Sequence, residues 1–347
     1  MMEGRRVAVI GTGWGARIIA PAYAAAGCKP LLVGRNPSRT RIRATRAGYF
    51  GWSTDLESIL GAEDISLVHI ATPPSSHTRL CEQALRAGKN VICEKPGGVA
   101  LGELDVIATA SREGTPGWLM FGYELRFAPV LQQVKEVIMS GSLGSIVELR
   151  TTFLSGRYLK SPGRRSWRST LSHGGGMLGA VGVHLLDLIR WLTGTELSVV
   201  RSELGWCPSQ EARIAVSRKN SRDELVSVTL ALRSGGIAEL LVDGRYRDGR
   251  LFGLEVEGTS GSLKLSGESG YQLRGPKCST FVEVPPRTGK LRGDVFGAGT
   301  LAQCRAALTS IDRSDSAPPA CSATLEDARV VHDKVREVLF HAQIADR

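Results

Sequence analysis

Three features are scarce or missing in this sequence of 347 residues: paired cysteines, long apolar runs and an apolar leader. The seven cysteines are scattered, odd in number and without a CxxC spacing, which argues against a disulfide framework and a structural zinc site. No apolar run approaches the roughly 18–20 residues that a membrane span needs. The N-terminal stretch MMEGRRVAVIGTGWG lacks the apolar core and cleavage site of a signal peptide. These absences predict a cytoplasmic protein that binds neither a metal nor a membrane.

The positive charge of the chain also lacks a continuous pattern. The net charge is +10, from 44 basic and 34 acidic side chains, but the arginines occur in short, separate groups. A nucleic-acid-binding protein more often shows one basic stripe together with a recognisable reading motif, and the sequence shows neither. Phosphate on a small ligand explains the arginines better, so we expect a small-molecule partner and no nucleic acid.

The N-terminal third has the pattern of a dinucleotide-binding fold. The apolar run RVAVI is followed at once by GTGWGA and a helix-like stretch to Ala26. In such a turn the first glycine makes the bend, the second lets a pyrophosphate approach, and a small third residue lets the helix pack on the strand. Apolar runs at 31–33, 65–71, 90–93 and 118–121 alternate with helical patterns, which indicates a parallel sheet. The three turn positions are Gly11, Gly13 and Ala16.

The end of the second predicted strand indicates which cofactor is bound. An acidic residue there would hydrogen-bond the adenosine ribose and repel a 2′-phosphate. This chain instead reads LLVGRNPSR, in which Gly34 leaves space, Arg35 follows, and Arg39 lies one helical turn further on. Because a hydrogen bond to a charged partner contributes about 1.5–3 kcal/mol, these arginines favour NADP(H) over NAD(H). The alternative is a pair of solvated arginines at a helix start.

The strand predicted at 90–93 runs directly into an acid, a lysine, a proline and two glycines, in the stretch VICEKPGG. Bound nicotinamide would lie at the carboxyl edge of this strand. Lys95 at that edge could hydrogen-bond the nicotinamide ribose and the substrate oxygen, and its charge would stabilise an alkoxide as hydride arrives or leaves. The alternative is a surface lysine beside a turn, but the proline and glycines after it indicate a fixed, unusual backbone.

The chain resembles the glucose–fructose oxidoreductase, inositol dehydrogenase and rhizopine catabolism (Gfo/Idh/MocA) family. The similarity rests on GTGWGA, HIATPPSSH, ALRAGKNVICEKP, GYELRFAPV and GGGMLGAVGVHLLDLIRWLTG, which occur in the family's order. The resemblance implies an α/β Rossmann dinucleotide-binding domain at 1–123 and an α+β domain at 124–347 with a large, mostly antiparallel open sheet. It also implies a cis peptide bond before Pro96, and a homodimer or homotetramer formed through the open sheet.

The resemblance and the residues themselves together give the expected roles of individual residues. Lys95, His184 and Tyr123 are expected to be catalytic, whereas His69 is expected to be structural. The family usually has an aspartate four residues before the histidine, and here that position is Ala180. The cofactor-binding residues are expected to be Gly11, Thr12, Gly13, Trp14, Ala16, Arg35, Arg39, Thr72, Pro73, His77, Glu94, Lys95 and Pro96. The substrate-binding residues are expected to be Arg126, Arg164, Arg165, Trp167, Arg168, His173 and Ala180.

The missing aspartate leaves the reaction open. Either Lys95 and His184 work alone, helped by Tyr123 or His173, or the substrate class has changed. We expect an NADP(H)-dependent oxidoreductase that moves hydride between nicotinamide and a secondary alcohol or ketone of a sugar, cyclitol or related metabolite. A reductase of an imine or another non-sugar double bond would need the aspartate less. Outside enzymes, the alternative is a non-catalytic regulator that senses dinucleotides.

The second half of the chain changes to strand-like alternation with turn glycines, as hairpins require. A helical period at 324–343 predicts a closing helix, and the segment 284–296, rich in Pro, Gly and charge, predicts a loop. By resemblance the loop 156–172 borders the substrate. Its extra arginines, Arg164 and Arg165, fit a carboxylate or phosphate on the substrate, unless the loop is simply solvated. The strands are predicted at 146–154, 198–206, 224–233, 236–242 and 251–265.

Overall fold

The computed structural model describes residues 6–47, 51–113, 117–156, 167, 173–207, 222–246, 250–266, 270–275, 278–283 and 294–345. The chain divides into two compact units, which are Met1–Ala128 with Arg287–Arg329 and Pro129–Pro286 with Val330–Arg347. A late segment of the chain thus belongs with the N-terminal unit. The domain boundary expected at residue 123 stays a prediction.

The helices and strands are numbered along the chain. The described helices are α1 (Ala20–Ala25), α2 (Pro37–Ala47), α3 (Leu56–Gly61), α4 (His77–Arg86), α5 (Leu101–Glu113), α6 (Pro129–Met139), α7 (Val183–Thr193), α8 (Val295–Asp312) and α9 (Leu325–Ala345). The described strands are β1 (Arg6–Ile10), β2 (Leu31–Val33), β3 (Gly51–Ser53), β4 (Ile65–Ile70), β5 (Asn90–Glu94), β6 (Leu119–Gly122), β7 (Ile146–Ser155), β8 (Leu197–Cys207), β9 (Arg222–Leu232), β10 (Ile237–Asp243), β11 (Arg250–Gly258), β12 (Ser262–Ser266), β13 (Gly270–Gly275) and β14 (Cys278–Glu283).

The first unit contains a parallel sheet with the strand order β3-β2-β1-β4-β5-β6. The order reverses at β1, which pairs with both β2 and β4, and in such sheets the ligand binds at the carboxyl ends of the strands beside the reversal. Strands buried on both faces have nearly continuous apolar sequences, which is why β1, β2, β4, β5 and β6 could be predicted. The edge strand β3 has only three residues and was not predicted.

Helix α8 completes the apolar core of the first unit and was not predicted. Cys304, Ala307 and Leu308 on this helix join the core formed by the sheet and α1. Asp294 caps the helix by accepting a hydrogen bond from the Gly297 N–H at 2.7 Å. Of the loop predicted at 284–296, residues 284–293 lie outside the described residues, and Val295 and Phe296 belong to α8. Because many of its residues are buried, α8 lacks the polar stripe that marks a surface helix in a sequence.

The second unit contains an eight-stranded sheet with the order β14-β13-β12-β11-β7-β10-β9-β8. Only the β7–β10 pair is parallel among these described strands, so the mostly antiparallel sheet predicted from the resemblance is confirmed. The segment predicted as one strand at 251–265 is two strands, β11 and β12, and the next two strands were not predicted. Along β10 the side chains alternate between buried and exposed, as a sheet covered on one face requires. Among the described helices, none combines the length and apolar character of a membrane span.

Candidate active site

The glycine-rich turn after β1 is shaped by close backbone contacts. Gly11 has φ 133°, and a Cβ on it would overlap the carbonyl oxygen of Ala71, which follows β4. Around Gly13, by contrast, a Cβ would meet no described atom within 4 Å, so the backbone there is open to a ligand. The N–H of Ala16, a buried residue, donates to the Gly11 carbonyl at 3.1 Å and begins the helix. The turn therefore has the shape that a dinucleotide pyrophosphate needs.

The residues around this turn also occupy the space beside Gly34. Trp14 packs against the apolar core, and Gly15–Ile19 form a π-helical segment that continues into α1. A Cβ on Gly34 would overlap Thr12 Cγ2 and the Thr40 hydroxyl. The space that the sequence assigned to a cofactor at Gly34 is therefore at least partly filled by protein side chains.

Arg35 and Arg39 are both exposed at the start of α2, directly after β2. Asn36 caps this helix, since its Oδ1 accepts the Arg39 N–H at 2.8 Å and its carbonyl accepts the Thr40 hydroxyl at 2.6 Å. Within the described part of the chain, neither guanidinium has a hydrogen bond or an ion pair. The cap fixes the backbone that bears both arginines, and their charges remain available to an anion.

The loop after β4 places its predicted cofactor residues in different environments. Pro73 is exposed and Thr72 is half-buried, and the Ser76 hydroxyl holds the loop by donating to Thr72 Oγ1 or to the Pro73 carbonyl, both at 2.8 Å. His77 is fully buried, with Nδ1 2.8 Å from the Pro96 carbonyl oxygen and Nε2 3.0 Å from the Thr72 carbonyl oxygen. His77 therefore connects this loop to the turn after β5, and its contact with a cofactor stays a prediction.

The turn after β5 shows why two glycines follow Lys95. The Lys95–Pro96 bond is cis, which confirms the feature implied by the resemblance. A Cβ on Gly97 would lie 2.5 Å from Phe121 Cε1, and one on Gly98 would lie 2.6 Å from Glu103 Oε2. The glycines thus let the turn pack directly on β6 and α5, and Lys95 is left half-buried at the carboxyl edge of the sheet.

Glu94, which precedes Lys95, is buried and is contacted by a histidine that sequence reasoning assigned only a structural role. His69 lies fully buried in β4, with Nε2 3.3 Å from Glu94 Oε1 and Nδ1 3.2 Å from Tyr23 Oη. Burial raises the pKa of Tyr23, so the phenol keeps its proton. A histidine inside the apolar run ISLVHI needs a buried polar partner. That requirement was visible in the sequence, but the partners were not.

Tyr123 and Arg126 follow β6, and both are buried. The Arg126 guanidinium forms two contacts with Asp327, at 3.1 Å to Oδ1 and 3.2 Å to Oδ2. Burial raises the pKa of Asp327, but Arg126, together with Thr324, outweighs burial and lowers that pKa to about 2. The ion pair ties the segment after β6 to the first turn of α9. Roles for Tyr123 in catalysis and Arg126 in substrate binding remain predictions.

In the second unit, the helix that bears His184 is not regular. Leu178–Gly182 are π-helical and continue into α7, which contains the buried His184 and Asp187. Ala180 is half-buried within the π-helical segment. Because a π-turn takes more residues than an α-turn, the four-residue spacing from Ala180 to His184 is not one regular helical turn, as the sequence had suggested. Such π-helical segments are frequent at functional sites.

The start of this helix is held by Asp223 from β9, a residue that sequence reasoning missed. Asp223 Oδ2 accepts the Leu178 N–H at 2.6 Å, and Oδ1 has no hydrogen-bond partner within the described residues. Gly176 has φ 76°, and a Cβ on it would overlap Asp223 Oδ1. Burial raises the pKa of Asp223 to about 6, although the Leu178 N–H opposes this shift. The glycine triplet was the sequence signal that something approaches the backbone here.

The remaining predicted substrate residues lie around the segment before this helix. Trp167 is half-buried and His173 is exposed. Arg164, Arg165 and Arg168 lie outside the described residues.

Comparison with known proteins places these features in a family. Residues 5–116 match the profile of the "Oxidoreductase family, NAD-binding Rossmann fold", and residues 131–264 match the "GFO/IDH/MocA C-terminal domain". The chain therefore belongs to the GFO/IDH/MocA oxidoreductase family, and its first unit contains that family's NAD-binding fold.

Two curated relatives show the range of this similarity. Levoglucosan dehydrogenase of Pseudarthrobacter phenanthrenivorans is 30% identical over 221 residues, which span 60% of this chain and 56% of the relative. Glucose-fructose oxidoreductase domain-containing protein 2 of Homo sapiens is 28% identical over 268 residues, which span 76% of this chain and 68% of the relative.

Solved structures show the same fold. Levoglucosan dehydrogenase in complex with NADH and levoglucosan matches with a TM-score of 0.83 at 23% identity, over 98% of this chain and 97% of that chain. An oxidoreductase domain protein from Kribbella flavida also matches with a TM-score of 0.83, at 22% identity over 99% of this chain and 98% of that chain. At this level of identity the likeness establishes the fold.

Proposed function

We propose that this protein is an NADP(H)-dependent oxidoreductase that transfers hydride between nicotinamide and a secondary alcohol or ketone carbon of a sugar, cyclitol or related metabolite. The observation that carries the proposal is the placement of Lys95 at the carboxyl edge of β5, in a turn that packs on β6 and α5. The sugar assignment is supported by the relatives, among which a levoglucosan dehydrogenase is similar in both sequence and fold. We also propose a cytoplasmic location, because the seven cysteines are scattered and show no paired spacing.

In this proposal the nicotinamide, when bound, supplies or accepts the hydride. The ammonium group of Lys95 donates a hydrogen bond to the substrate oxygen and stabilises negative charge there as the carbon gains hydride. In the reductive direction a proton from Lys95 or His184 completes the alcohol, and in the oxidative direction the same group removes it. Gly11, Gly13 and Ala16 would hold the pyrophosphate, and Thr72 and Pro73 would border the cofactor from the next loop.

The preference for NADP(H) is proposed from the two arginines after β2. Both are exposed, both guanidinium groups lack protein partners among the described residues, and the capped helix start holds their backbone in place. The native protein should bind NADPH more tightly than NADH by at least about tenfold, which corresponds to about 1.4 kcal/mol. Arg35→Asp should reverse that order. Arg41→Asp makes the same charge change at an exposed position of α2 and should leave it intact. Equal affinity of the native protein for both cofactors would disprove the preference.

Activity itself is tested with the native protein, NADPH or NADP⁺, and a panel of keto-sugars, cyclitols and imines. We expect the nicotinamide absorbance band to change with at least one keto-sugar or cyclitol. Tight cofactor binding without turnover of any member would instead favour the non-catalytic regulator.

A second candidate is reduction of an imine or another non-sugar double bond. The specific observation in its favour is Ala180, which leaves the π-helical segment before His184 without the carboxylate that would accept a sugar hydroxyl. Turnover of imines alone in the same panel would establish this candidate.

Two further features belong to the proposal. The arginines of the loop 156–172 fit a substrate with a carboxylate or phosphate.

The exposed face of the second sheet presents Ile237, Leu241 and Leu251 beside an Arg150–Glu239 ion pair, which suits assembly into a homodimer or homotetramer. Leu241→Arg should reduce the mass measured by light scattering. A native protein that is monomeric at micromolar concentration would contradict assembly.

A further inference from the structure

Lys95 lies between two residues that are each contacted by a buried histidine from the same stretch of chain. Glu94, on one side, is contacted by His69 in β4, and Pro96, on the other side, by His77 at the start of α4. β4 is the direct neighbour of β5 in the parallel sheet, with His69 in register with Ile92. We propose that His69 and His77 are positioning residues for Lys95, since His69 contacts the carboxylate of the residue before it and His77 contacts the carbonyl of the residue after it. This inference rests on the proposed catalytic role of Lys95.

The contacts of His69 are satisfied by a neutral ring. If Nε2 carries the proton, it donates to the Glu94 carboxylate, and the bare Nδ1 accepts from the Tyr23 hydroxyl. Both His69 and Tyr23 are fully buried. A buried polar chain in which each donor has an acceptor fixes one arrangement of its members. His69 therefore sets the direction of the Glu94 side chain at the end of β5, one residue before the lysine.

The contacts of His77 differ, because both ring nitrogens face carbonyl oxygens. The Pro96 oxygen lies 2.8 Å from Nδ1 and the Thr72 oxygen lies 3.0 Å from Nε2, and a carbonyl can only accept. A neutral ring donates to one of them, whereas a protonated ring donates to both. The protonated ring thus pins the turn of Lys95 and the loop of Thr72 together.

Different groups around His77 shift the pKa of its ring in opposite directions. Burial lowers the pKa of His77, while the two carbonyls and the carboxylates of Glu94 on β5 and Glu103 on α5 raise it, and burial outweighs them. Glu103 is itself held in place, because its Oε2 accepts the Val99 N–H at 2.5 Å. Lys95 is the charged residue directly before Pro96 in the sequence. The second contact of His77 therefore forms as pH falls below the ordinary histidine pKa of about 6.5.

The test reads the environment of Lys95 directly. Reductive methylation with ¹³C-formaldehyde gives the lysine amines separate NMR signals, and the signal that disappears in Lys95→Arg identifies Lys95. His69→Gln and His77→Gln should each shift this signal and its titration midpoint. His341→Gln, on α9, is the matched control and should leave it unchanged. In the native protein the Lys95 signal should show a second inflection below about pH 6.5, and His77→Gln should remove it.

Turnover provides a second, separate readout. Each glutamine variant should lower kcat by roughly 10- to 100-fold, with a smaller change in cofactor affinity, because a misplaced catalytic group slows the chemical step. If a variant does not fold by circular dichroism, Tyr23→Phe tests the His69 branch and the native titration tests the His77 branch. The inference is overturned if the Lys95 signal is unchanged in both His69→Gln and His77→Gln. Where those variants do not fold, it is overturned if the signal is unchanged in Tyr23→Phe and the native protein shows a single inflection. Both outcomes apply whether or not the protein is active. Absence of native turnover alone counts against the proposed function only.

Discussion

The turn after β5 in the first unit and the helix before His184 in the second unit both depend on glycine, but they are fixed by different means. The turn packs its glycines against Phe121 and Glu103 and is contacted by histidines from the neighbouring strand and helix. The helix begins on the carboxylate of Asp223, and Gly176 leaves the room that this carboxylate needs. In both places a missing Cβ admits a polar or aromatic group from another element.

The turn after β5 and the helix that bears His184 differ in how many of the family's usual residues they retain. The turn retains its lysine and its cis-proline. The helix retains His184 but has Ala180 where the family usually has an aspartate, and its first turn is π-helical. The turn after β5 is therefore the better guide to the reaction, and the helix that bears His184 is the better guide to the substrate.

The largest effect is expected at the lysine. Lys95→Ala should lower turnover by roughly 10²–10⁴-fold, the usual contribution of a positioned acid or base, while cofactor affinity changes much less. Steady-state kinetics and fluorescence titration of the cofactor measure the two quantities. Near-native turnover would mean that the turn is only structural, and the contrast between the two elements would disappear.

Gly176 should be the most sensitive position of the helix start. Gly176→Ala introduces a Cβ that overlaps Asp223 Oδ1 at a residue with φ 76°, so we expect a loss of about 2–4 kcal/mol in the free energy of unfolding. Gly194→Ala is the matched control, since its φ is 63° but its Cβ would meet no described atom within 4 Å, and about 1–2 kcal/mol is expected there. Equal losses in urea denaturation would show that the carboxylate does not press on Gly176.

Asp223 should give the stability of the protein a distinct pH dependence. Burial raises its pKa from 3.8 to about 6, so the folded protein holds this proton more tightly than the unfolded chain. The contribution of Asp223 to the free energy of unfolding is therefore complete below about pH 4, and it falls by about 2–3 kcal/mol as pH rises through 6. Asp223→Asn should flatten that part of the curve measured by urea denaturation. An unchanged difference in stability between the two proteins across this range would show that Asp223 titrates normally.

The apolar runs and glycine spacing of the first unit predict most of its parallel sheet, because buried parallel strands and phosphate-binding turns have local signatures. Helix α8 and the Asp223 contact could not be predicted, since both depend on residues distant in sequence. The role of Gly34 could not be predicted either. A glycine at this position leaves space, but the sequence alone does not show whether a ligand or the side chains of Thr12 and Thr40 occupy that space.

The smallest effect on activity is expected from a substitution at Ala180, and its direction distinguishes the two candidate substrate classes. For a polyol or sugar substrate, Ala180→Asp restores a hydroxyl acceptor worth about 1.5–3 kcal/mol and should preserve or raise kcat/KM. For an imine or apolar substrate, the same change buries an unpaired charge and should suppress activity. Ala180→Asn, which adds a similar volume without a charge, separates charge from size. We expect the sugar outcome, and loss of activity only in the aspartate variant would contradict it.

Transfer of deuterium tests the central claim most directly. The native protein is mixed with NADPH that carries deuterium at both C4 positions and with the keto-sugar or cyclitol ketone that is turned over, and the product is analysed by mass spectrometry. We predict that the carbinol carbon gains the deuterium with the native protein, and at a rate lower by roughly 10²–10⁴-fold with Lys95→Ala. A protein that binds NADPH tightly but transfers no deuterium to any ketone, or transfers it equally fast without Lys95, would contradict the account.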